Sequence, residues 1–346
     1  MSLNTTVLEI RQRQRIKPTP LDMPSAVWTG KDHVDGNVEN TLTMIFRTSG
    51  CWWGKVGGCT MCGYVYDSAH TSPSADDLVS QFRKAMVKAS KFDRFMVKIF
   101  TSGSFLDEKE VPADALSKIL SLLEEDDRVF KVVVESRPEF LTEASMKFCL
   151  AHLKGTLFEV AIGLETSSDL IRKHSINKGF TFRDFVRAAE IAKSNGVAVK
   201  TYLMLKPPFI PEKQALEDIV TSVREASVYS NVISINLCNV QKGTLIEYLW
   251  ERGEYRPPWL WSIVEILKRT KKEFPHLVIT SDPVGAGAKR GPRNCKECSG
   301  QVADAIRAFS LSQDLHDLEG LECDCRYLWE KVLVLDDLSF GSPVLE

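Results

Sequence analysis

The chain has 346 residues, of which 44% are hydrophobic and 26% are charged, as in an ordinary soluble globular protein. Its formal net charge of −2 excludes a global basic field, so any surface that binds nucleic acid must be local. No apolar run approaches the roughly 20 residues of a membrane span, and no signal peptide is visible, so we expect a cytoplasmic protein. The nine cysteines are odd in number and fall mostly in two tight clusters, which favours metal chemistry over a disulfide framework.

The first 40 residues are polar, are interrupted by prolines and carry the basic residues Arg11, Arg13, Arg15 and Lys17. Solvated surface is the favoured interpretation of this run, with contact to a polyanion as the alternative. Beyond it, short apolar runs alternate with stretches of helical spacing. Strands are predicted at residues 41–47, 95–100, 129–134, 157–164, 197–205 and 232–238. Helices are predicted at residues 72–90, 112–123, 144–152, 182–194 and 212–226.

This alternation indicates an α/β fold with a parallel sheet of βα units. Because the units are fewer than the eight of a closed barrel, the sequence predicts a partial (β/α)6 barrel, with a doubly wound open sheet as the alternative. In either fold, ligands gather at the carboxyl ends of the strands. We expect the barrel to span residues 41–245, after an N-terminal extension of residues 1–40.

The alternation of strands and helices becomes less regular after the sixth predicted strand. A helix with a basic face at residues 268–272 is predicted over residues 259–274, and 277–280 is a candidate last strand. A C-x2-C pair follows at Cys295 and Cys298, and a C-x-C pair at Cys323 and Cys325. Four thiolates suit a closed tetrahedral zinc site, which we favour over a second four-cysteine iron–sulfur cluster. Residues 246–346 are therefore expected to form a C-terminal extension with a small cysteine-rich metal-binding lobe.

Three further cysteines, Cys51, Cys59 and Cys62, follow the first predicted strand in a loop too rich in glycine to be a helix. Three thiolates can hold three irons of a [4Fe–4S] cluster and leave the fourth iron open to a chelating ligand. A zinc loop or a set of buried free thiols is the alternative. Structural zinc takes four ligands, however, and only His70 lies nearby in the sequence, so the cluster loop is favoured.

A three-cysteine loop after the first strand of a partial βα barrel resembles the radical S-adenosylmethionine (SAM) enzymes. The spacing here is C-x7-C-x2-C, whereas the usual spacing in that family is C-x3-C-x2-C. Three other segments are similar to elements of its Elongator-type branch. The segment E-S-R-P-E at 135–139 resembles E-x-R/N-P, and G-L-E-T at 163–166 resembles G-x-Q-S/T with Glu in place of Gln. The segment N-K-G at 177–179 resembles N-R-G with Lys in place of Arg.

The resemblance implies that the cluster binds SAM, which one electron from an external donor cleaves to a 5′-deoxyadenosyl radical. It also implies a set of cofactor-binding residues, namely Met61, Tyr64, Ser102, Gly103, Ser104, Glu135, Glu165 and Lys178. In that set the segment 102–104 takes the amino group of SAM, Glu135 or Glu165 accepts from the ribose hydroxyls, and Lys178 pairs with the carboxylate. The residues alone leave alternatives open: Glu135 pairs with Arg137 or Lys98, and Lys178 is solvated.

The cysteine loop and the C-terminal lobe together resemble, over the whole chain, the archaeal archaeosine synthase family of radical SAM enzymes. That resemblance implies a tRNA substrate whose D-loop carries a lysine adduct of 7-cyano-7-deazaguanine, and cleavage of the lysine C–N bond to form archaeosine. It also implies a complex with the enzyme that attaches the lysine. We expect the tRNA contact at Lys289, Arg290 and Arg293. The alternatives are an Elongator-like or methylthiotransferase-like tRNA-modifying enzyme and a non-catalytic, zinc-stapled RNA-binding protein.

Overall fold

The computed structural model describes residues 2–14 and 18–335. Within these residues, eight strands form a single sheet in the order of the sequence. The first pair of strands is antiparallel and all later pairs are parallel. The strands are β1 (Ala26–Val34), β2 (Asn37–Ile45), β3 (Phe95–Phe100), β4 (Val129–Glu135), β5 (Leu157–Glu165), β6 (Ala198–Leu205), β7 (Val232–Leu237) and β8 (Val278–Thr280).

Helices connect the parallel strands, and no helix in the described part of the chain is long and apolar enough to cross a membrane. The helices are α1 (Leu3–Gln12), α2 (Trp52–Lys55), α3 (Ala75–Met86), α4 (Ala113–Glu124), α5 (Glu143–His152), α6 (Asp169–Ile171), α7 (Phe182–Ser194), α8 (Glu212–Ser227), α9 (Leu245–Trp250), α10 (Leu260–Glu273), α11 (Ser299–Ser312) and α12 (Cys325–Leu335). A single π-helical turn at Arg172–Ile176 follows α6.

The predicted partial barrel is confirmed, and its six predicted strands correspond to β2 through β7. The doubly wound alternative is wrong, because that fold requires the strand order to reverse at a switch point. Here each strand pairs with the next one along the chain. Right-handed crossovers that all run in the same direction place the helices on one side of the sheet, which leaves the other side as a concave lumen.

Two strands of the sheet lie outside the predicted barrel range of 41–245. Strand β1 forms a hairpin with β2 through Asp35 and Gly36, whose φ angles are 48° and 83°. Two successive residues with positive φ are the signature of the tight turn that matches the twist of a hairpin. At the other edge, the candidate strand at 277–280 is present as β8.

The two faces of the sheet carry different side chains. Along β3, Phe95, Val97 and Ile99 are buried in the main core against the helices. Met96, which alternates with them, packs with Val34 in a small apolar cluster on the concave side. Because side chains alternate along a strand, the residues two and four positions after Met96 also face the lumen.

Helix α11 lies between the two free edges of the sheet and contacts both β1 and β8. On the β1 side, Nδ1 of His33 lies 2.8 Å from the carbonyl oxygen of Leu311. On the β8 side, the amide of Gln313 exchanges hydrogen bonds of 2.9 Å with both backbone groups of Ile279. The lumen is therefore bounded laterally by a helix of the C-terminal extension.

Candidate cofactor and metal sites

Cys51, Cys59 and Cys62 lie in the loop that follows β2, at the carboxyl end of the parallel strands. Gly57 and Gly58 let this loop turn back, with φ angles of 135° and 87° that favour glycine. Burial raises the pKa of all three thiols, and the neighbouring charges of Arg137, Lys178 and Arg11 oppose that shift. Three partly buried cysteines with cations beside them fit a site whose metal compensates the thiolate charge.

Arg11 of α1 holds the loop from one side. Its guanidinium donates to the carbonyl oxygens of Cys59 and Cys62 at 2.9 and 3.0 Å, and only 8% of the residue is exposed. The favoured interpretation of the basic run as solvated surface is therefore wrong for Arg11, because its donors are used on the loop carbonyls. Arg13 is exposed, whereas the remaining members of that run, Arg15 and Lys17, lie outside the described residues.

The π-helical turn and the residue after it hold the loop from the other side. The backbone N–H of Thr60 donates to Ile176 O at 2.9 Å, and the indole N–H of Trp53 donates to Asn177 O at 2.7 Å. The Asn177 side chain donates in turn to Gly58 O at 2.8 Å. These bonds press the 177–179 segment against the cysteine loop, which brings Lys178 to the site.

Lys178 forms a buried ion pair with Glu165, with 2.6 Å between Nζ and Oε1. The interpretation of Lys178 as solvated is wrong, since only 14% of its side chain is exposed. Although burial opposes it, the charges of Glu165 and Cys59 raise the pKa of Lys178. Glu165 has a φ angle of 67°, at a register shift between β5 and β6. Such strained non-glycine backbone is concentrated at functional sites.

Glu135 lies at the end of β4 and faces the same space. Neither proposed ion pair for it is formed, because Arg137 binds Glu139 at 2.6 Å and Lys98 binds Asp32 at 2.5 Å. Burial raises the pKa of Glu135 to about 7 against the opposing charge of Lys178, and the nearby carboxylate of Glu165 adds to the rise. Glu135 is therefore a partly buried carboxyl group available to a ligand.

The segment 102–104 packs directly on the cysteine loop. A Cβ atom on Gly103 would lie 2.6 Å from Cα of Cys51 and 1.9 Å from Oε1 of Glu110, so only glycine fits there. Ser104 is fully buried, and its hydroxyl accepts from the Arg137 N–H at 3.0 Å. Within the described residues, the hydroxyl of Ser102 is buried and has no hydrogen-bond partner.

Glu110 is a site residue that the sequence analysis missed. It accepts from the Thr48 hydroxyl at 2.6 Å and from the Ser104 N–H at 2.8 Å, which ties the end of β2 to the end of β3. Burial raises its pKa to about 7. The run D-E-K-E at 107–110 has the composition of a surface loop, so no pattern in the sequence indicates that Asp107 and Glu110 are buried.

The predicted cofactor-binding residues are thus only partly brought together. Glu135 and Glu165 end β4 and β5, Lys178 pairs with Glu165, and Ser102 follows β3 at the same edge, so the four border one partly buried space. Met61 packs with Val7 and Ile176 in an apolar cluster that Cys59 borders. Tyr64 is half exposed, and burial together with the charges of Cys62 and Glu135 raises its pKa. Two buried polar atoms of this space, the Ser102 hydroxyl and Oε2 of Glu165, lack hydrogen-bond partners among the described residues, which fits a site completed by a polar ligand.

The predicted tRNA-contact residues lie in a loop joined to the same edge of the barrel. The carbonyl oxygen of Arg290 accepts from Val240 N–H at 2.8 Å, and Gln241 accepts from Gly63 N–H at 2.5 Å. Arg290 also pairs with Glu247. The Arg293 guanidinium donates to the carbonyl oxygen of Lys289 at 2.8 Å. The neighbouring residues Val240 and Gln241 therefore link the basic loop to the cysteine loop, the first through its backbone and the second through its side chain.

The four C-terminal cysteines form a compact group in which all sulfurs lie within 4.8 Å of one another. The Cys295–Cys323 and Cys298–Cys325 sulfur separations are 3.5 and 3.4 Å. Zinc bound tetrahedrally at about 2.3 Å places its sulfurs about 3.8 Å apart. In a four-iron cluster each sulfur binds a different iron, which requires wider separations. Trp261 donates its indole N–H to Cys325 Sγ at 3.3 Å, as an outer partner of a metal ligand would.

No protein-family model matches the chain. It is 60% identical over 346 residues to the archaeosine synthase subunit beta of Methanosarcina acetivorans, which covers 100% of both chains. It is 44% identical over 309 residues to the protein of the same name from Thermococcus kodakarensis, covering 88% of this chain and 95% of the relative.

Solved structures show the same fold at low sequence identity. The archaeal Elp3 of Methanocaldococcus infernus, with an N-terminal deletion, has a TM-score of 0.50 at 18% identity and covers 65% of this chain and 57% of its own. Methylornithine synthase (PylB) has a TM-score of 0.50 at 14% identity and covers 96% and 87%. At these identities the likeness concerns the architecture alone.

Proposed function

The chain belongs to the archaeosine synthase subunit beta family, and on that premise we propose that it is the subunit that performs the radical step on tRNA. Its substrate is the lysine adduct of 7-cyano-7-deazaguanine in the D-loop, and its product is archaeosine. The observation that supports this best is the partly buried space at the barrel edge, where three cysteines lie near an ion pair and two polar atoms without partners in the described chain.

In this proposal Cys51, Cys59 and Cys62 hold a [4Fe–4S] cluster. The bound SAM supplies a 5′-deoxyadenosyl radical when an external donor adds one electron. Lys178 pairs with the SAM carboxylate, and Ser102 receives its amino group. Glu165 and Glu135 accept from the ribose hydroxyls, for which the partnerless Oε2 of Glu165 is suited. The burial of Ser102 and Glu165 helps to exclude water, which protects a radical from side reactions.

The proposed reaction balances in atoms and electrons. One hydrogen atom passes from the lysine carbon bonded to nitrogen to the 5′-deoxyadenosyl group. The substrate radical then gives one electron to a carrier of the iron–sulfur class, and the resulting iminium ion takes up one water. The C–N bond breaks, so that nitrogen stays on the base as the amidine of archaeosine and carbon leaves as the aldehyde of lysine. The electron released equals the electron consumed in cleaving SAM.

We assign zinc to the four-cysteine lobe, because the sulfur separations match a single tetrahedral ion. We also infer a complex with the subunit that attaches the lysine, since the relatives are named as one subunit of an archaeosine synthase. Both assignments can be examined by metal analysis and by co-purification of the two subunits.

The first prediction concerns the reaction itself. Anaerobic protein incubated with lysine-adduct tRNA, SAM and a reductant is expected to form archaeosine and 5′-deoxyadenosine in equal amounts. A substrate deuterated at the lysine carbon bonded to nitrogen should pass one deuterium to 5′-deoxyadenosine, as mass spectrometry can measure. tRNA that carries unmodified 7-cyano-7-deazaguanine is the control. Unlabelled 5′-deoxyadenosine with an intact adduct would contradict the proposed function.

The second prediction concerns tRNA affinity. With a net charge of −2, the phosphate contacts must be local, and we propose that Lys289, Arg290 and Arg293 supply them. Each lost contact lowers the slope of log affinity against log salt by roughly 0.7 to 0.9. Replacing all three with glutamine should therefore lower this slope by the amount that about two to three lost contacts produce. Filter binding over a salt series measures the change.

The same triple variant should cleave SAM without substrate at nearly the normal rate, because the cluster loop is untouched. A matched control replaces three exposed lysines that precede β3 and β5 at the amino end of the barrel, Lys88, Lys91 and Lys154, which should leave the salt slope unchanged. An unchanged affinity and slope in the first triple variant would show that tRNA binds elsewhere.

A further inference from the structure

The lumen below the cofactor space contains a group of charged side chains to which the mechanism above assigns no role. Lys98 of β3 and Lys200 of β6 both approach the same oxygen of Asp32 on β1, at 2.5 and 3.6 Å. Lys131 of β4 binds Glu159 of β5 at 2.7 Å. Between 3% and 16% of each of these five side chains is exposed, so the group lies inside the barrel.

The charges of this group do not balance. Three ammonium groups face two carboxylates. Lys98 and Lys200 share Asp32, whereas Lys131 pairs directly with Glu159, whose charge also reaches the other two lysines. Although burial opposes it, the charges of Lys200 and Lys98 keep the pKa of Asp32 low. Burial and the charge of Lys200 lower the pKa of Lys98. An interior network that only supports the fold needs paired charges, because an unmatched buried charge is costly.

The position of this group in the lumen relates it to the cofactor space. Tyr202 lies two residues after Lys200 on the same face of β6, which places it about 6.6 Å nearer the carboxyl edge. The Lys200 ammonium is 5.8 Å from the centre of the Tyr202 ring. Tyr202 is also close enough to Glu135 to experience its charge. From the carboxyl edge of the strands inward, the lumen is therefore lined first by Glu135, then by Tyr202 and then by the pair Lys98 and Lys200.

We propose that Lys98 and Lys200 bind the α-carboxylate of the substrate's lysine tail, and that Asp32 accepts its α-ammonium group. This inference rests on the proposed function, which supplies a substrate that ends in an amino acid. A second carboxylate between the two lysines would give each ammonium its own partner. In this arrangement the lumen recognises the amino acid of the substrate, and a different surface recognises the tRNA.

The length of the tail agrees with this placement. Four carbon–carbon bonds separate the α-carbon of lysine from the carbon bonded to the amidine nitrogen, roughly 5 Å when extended. A tail anchored at Lys98 and Lys200 therefore places that carbon about one layer higher, beside Tyr202 and toward the cofactor space. Holding one C–H group at a fixed position is what a radical abstraction requires of the protein.

The test compares two substrates on the unaltered enzyme. One tRNA carries the lysine adduct, and the other carries the adduct of 1,5-diaminopentane, which has the same chain length and no carboxylate. We expect kcat/KM for the second to be about 10- to 100-fold lower, the range that a charge-assisted hydrogen bond provides. The K200M variant should lose activity on the lysine adduct and retain it on the diaminopentane adduct, so that the preference disappears.

The ion pair of Lys131 and Glu159 in the same lumen supplies the matched control. The K131M/E159Q double variant removes this whole ion pair, so it leaves no unmatched buried charge, and it should keep the preference for the lysine adduct. Equal kcat/KM for the two adducts on the unaltered enzyme would overturn the inference and leave the proposed function intact. Cleavage of neither adduct, with 5′-deoxyadenosine still formed, would overturn both. If K200M fails to fold, the substrate comparison on the unaltered enzyme still decides.

Discussion

Replacing any one of Cys51, Cys59 and Cys62 with alanine is expected to abolish reductive cleavage of SAM, with turnover falling below detection. All three thiols would be needed, since a [4Fe–4S] cluster that keeps one iron open has no spare protein ligand. Anaerobically purified protein should be brown, and each variant should lose the colour and the associated iron and sulfide. The variants should remain folded, because Arg11 and the π-helical turn hold the loop through backbone bonds.

The control for these variants is Cys149→Ala. Cys149 lies on α5 and is fully buried in the main hydrophobic core. Burial raises the pKa of its thiol to about 12, as expected for a cysteine whose role is packing. This variant should keep its iron, its colour and its rate of SAM cleavage. Normal SAM cleavage by Cys59→Ala would exclude the cluster assignment for the loop.

Cys298→Ala in the C-terminal lobe is expected to lose zinc and to lower the free energy of unfolding. Structural zinc supplies folding free energy directly, so the loss should be on the order of several kcal/mol. Cys298 is 4% exposed and packs with the main core immediately before α11, so the lobe and the barrel should be destabilised together. Urea unfolding and metal analysis of the same preparations measure both effects.

In the unaltered protein, zinc should be present at about one ion per chain and survive gentle iron chelation. Cys149→Ala again serves as the control, and its zinc content should not change. About eight irons per chain without zinc would instead indicate a second four-iron cluster. Full retention of zinc by Cys298→Ala would show that this sulfur is not a ligand.

Most of the fold could be predicted because β2 to β7 have strong apolar runs. In β3, every second residue is buried in the main core, and such runs indicate a covered parallel strand. Strand β1 was missed because its middle is exposed and its sequence, A-V-W-T-G-K-D-H-V, is mostly polar there. The Asp35-Gly36 pair that turns it into β2 was nevertheless a visible hairpin signal.

The part of the candidate site that could be predicted consists of the residues at the ends of the strands. Residues that follow parallel strands meet at one edge, which is why Ser102, Glu135 and Glu165 come together. Glu110 and Arg11 could not be predicted, because each is buried by segments distant in the sequence. Lys178 shows the same limit: Glu165 and the cysteine loop bury it, and a single lysine in a polar segment does not indicate that burial.

The position of α11 has a consequence for how the chain folds during synthesis. The contact between His33 of β1 and Leu311 of α11 joins residues 278 positions apart. At about 5 to 20 residues per second, a ribosome needs roughly 15 to 55 s between making the two segments. During that interval the outer edge of β1 is an unpaired strand edge, of the kind that recruits other chains. Polar residues in the middle of β1 make this edge a poor site for pairing with other chains. The same polar residues that kept β1 from being predicted as a strand therefore reduce aggregation of the nascent chain.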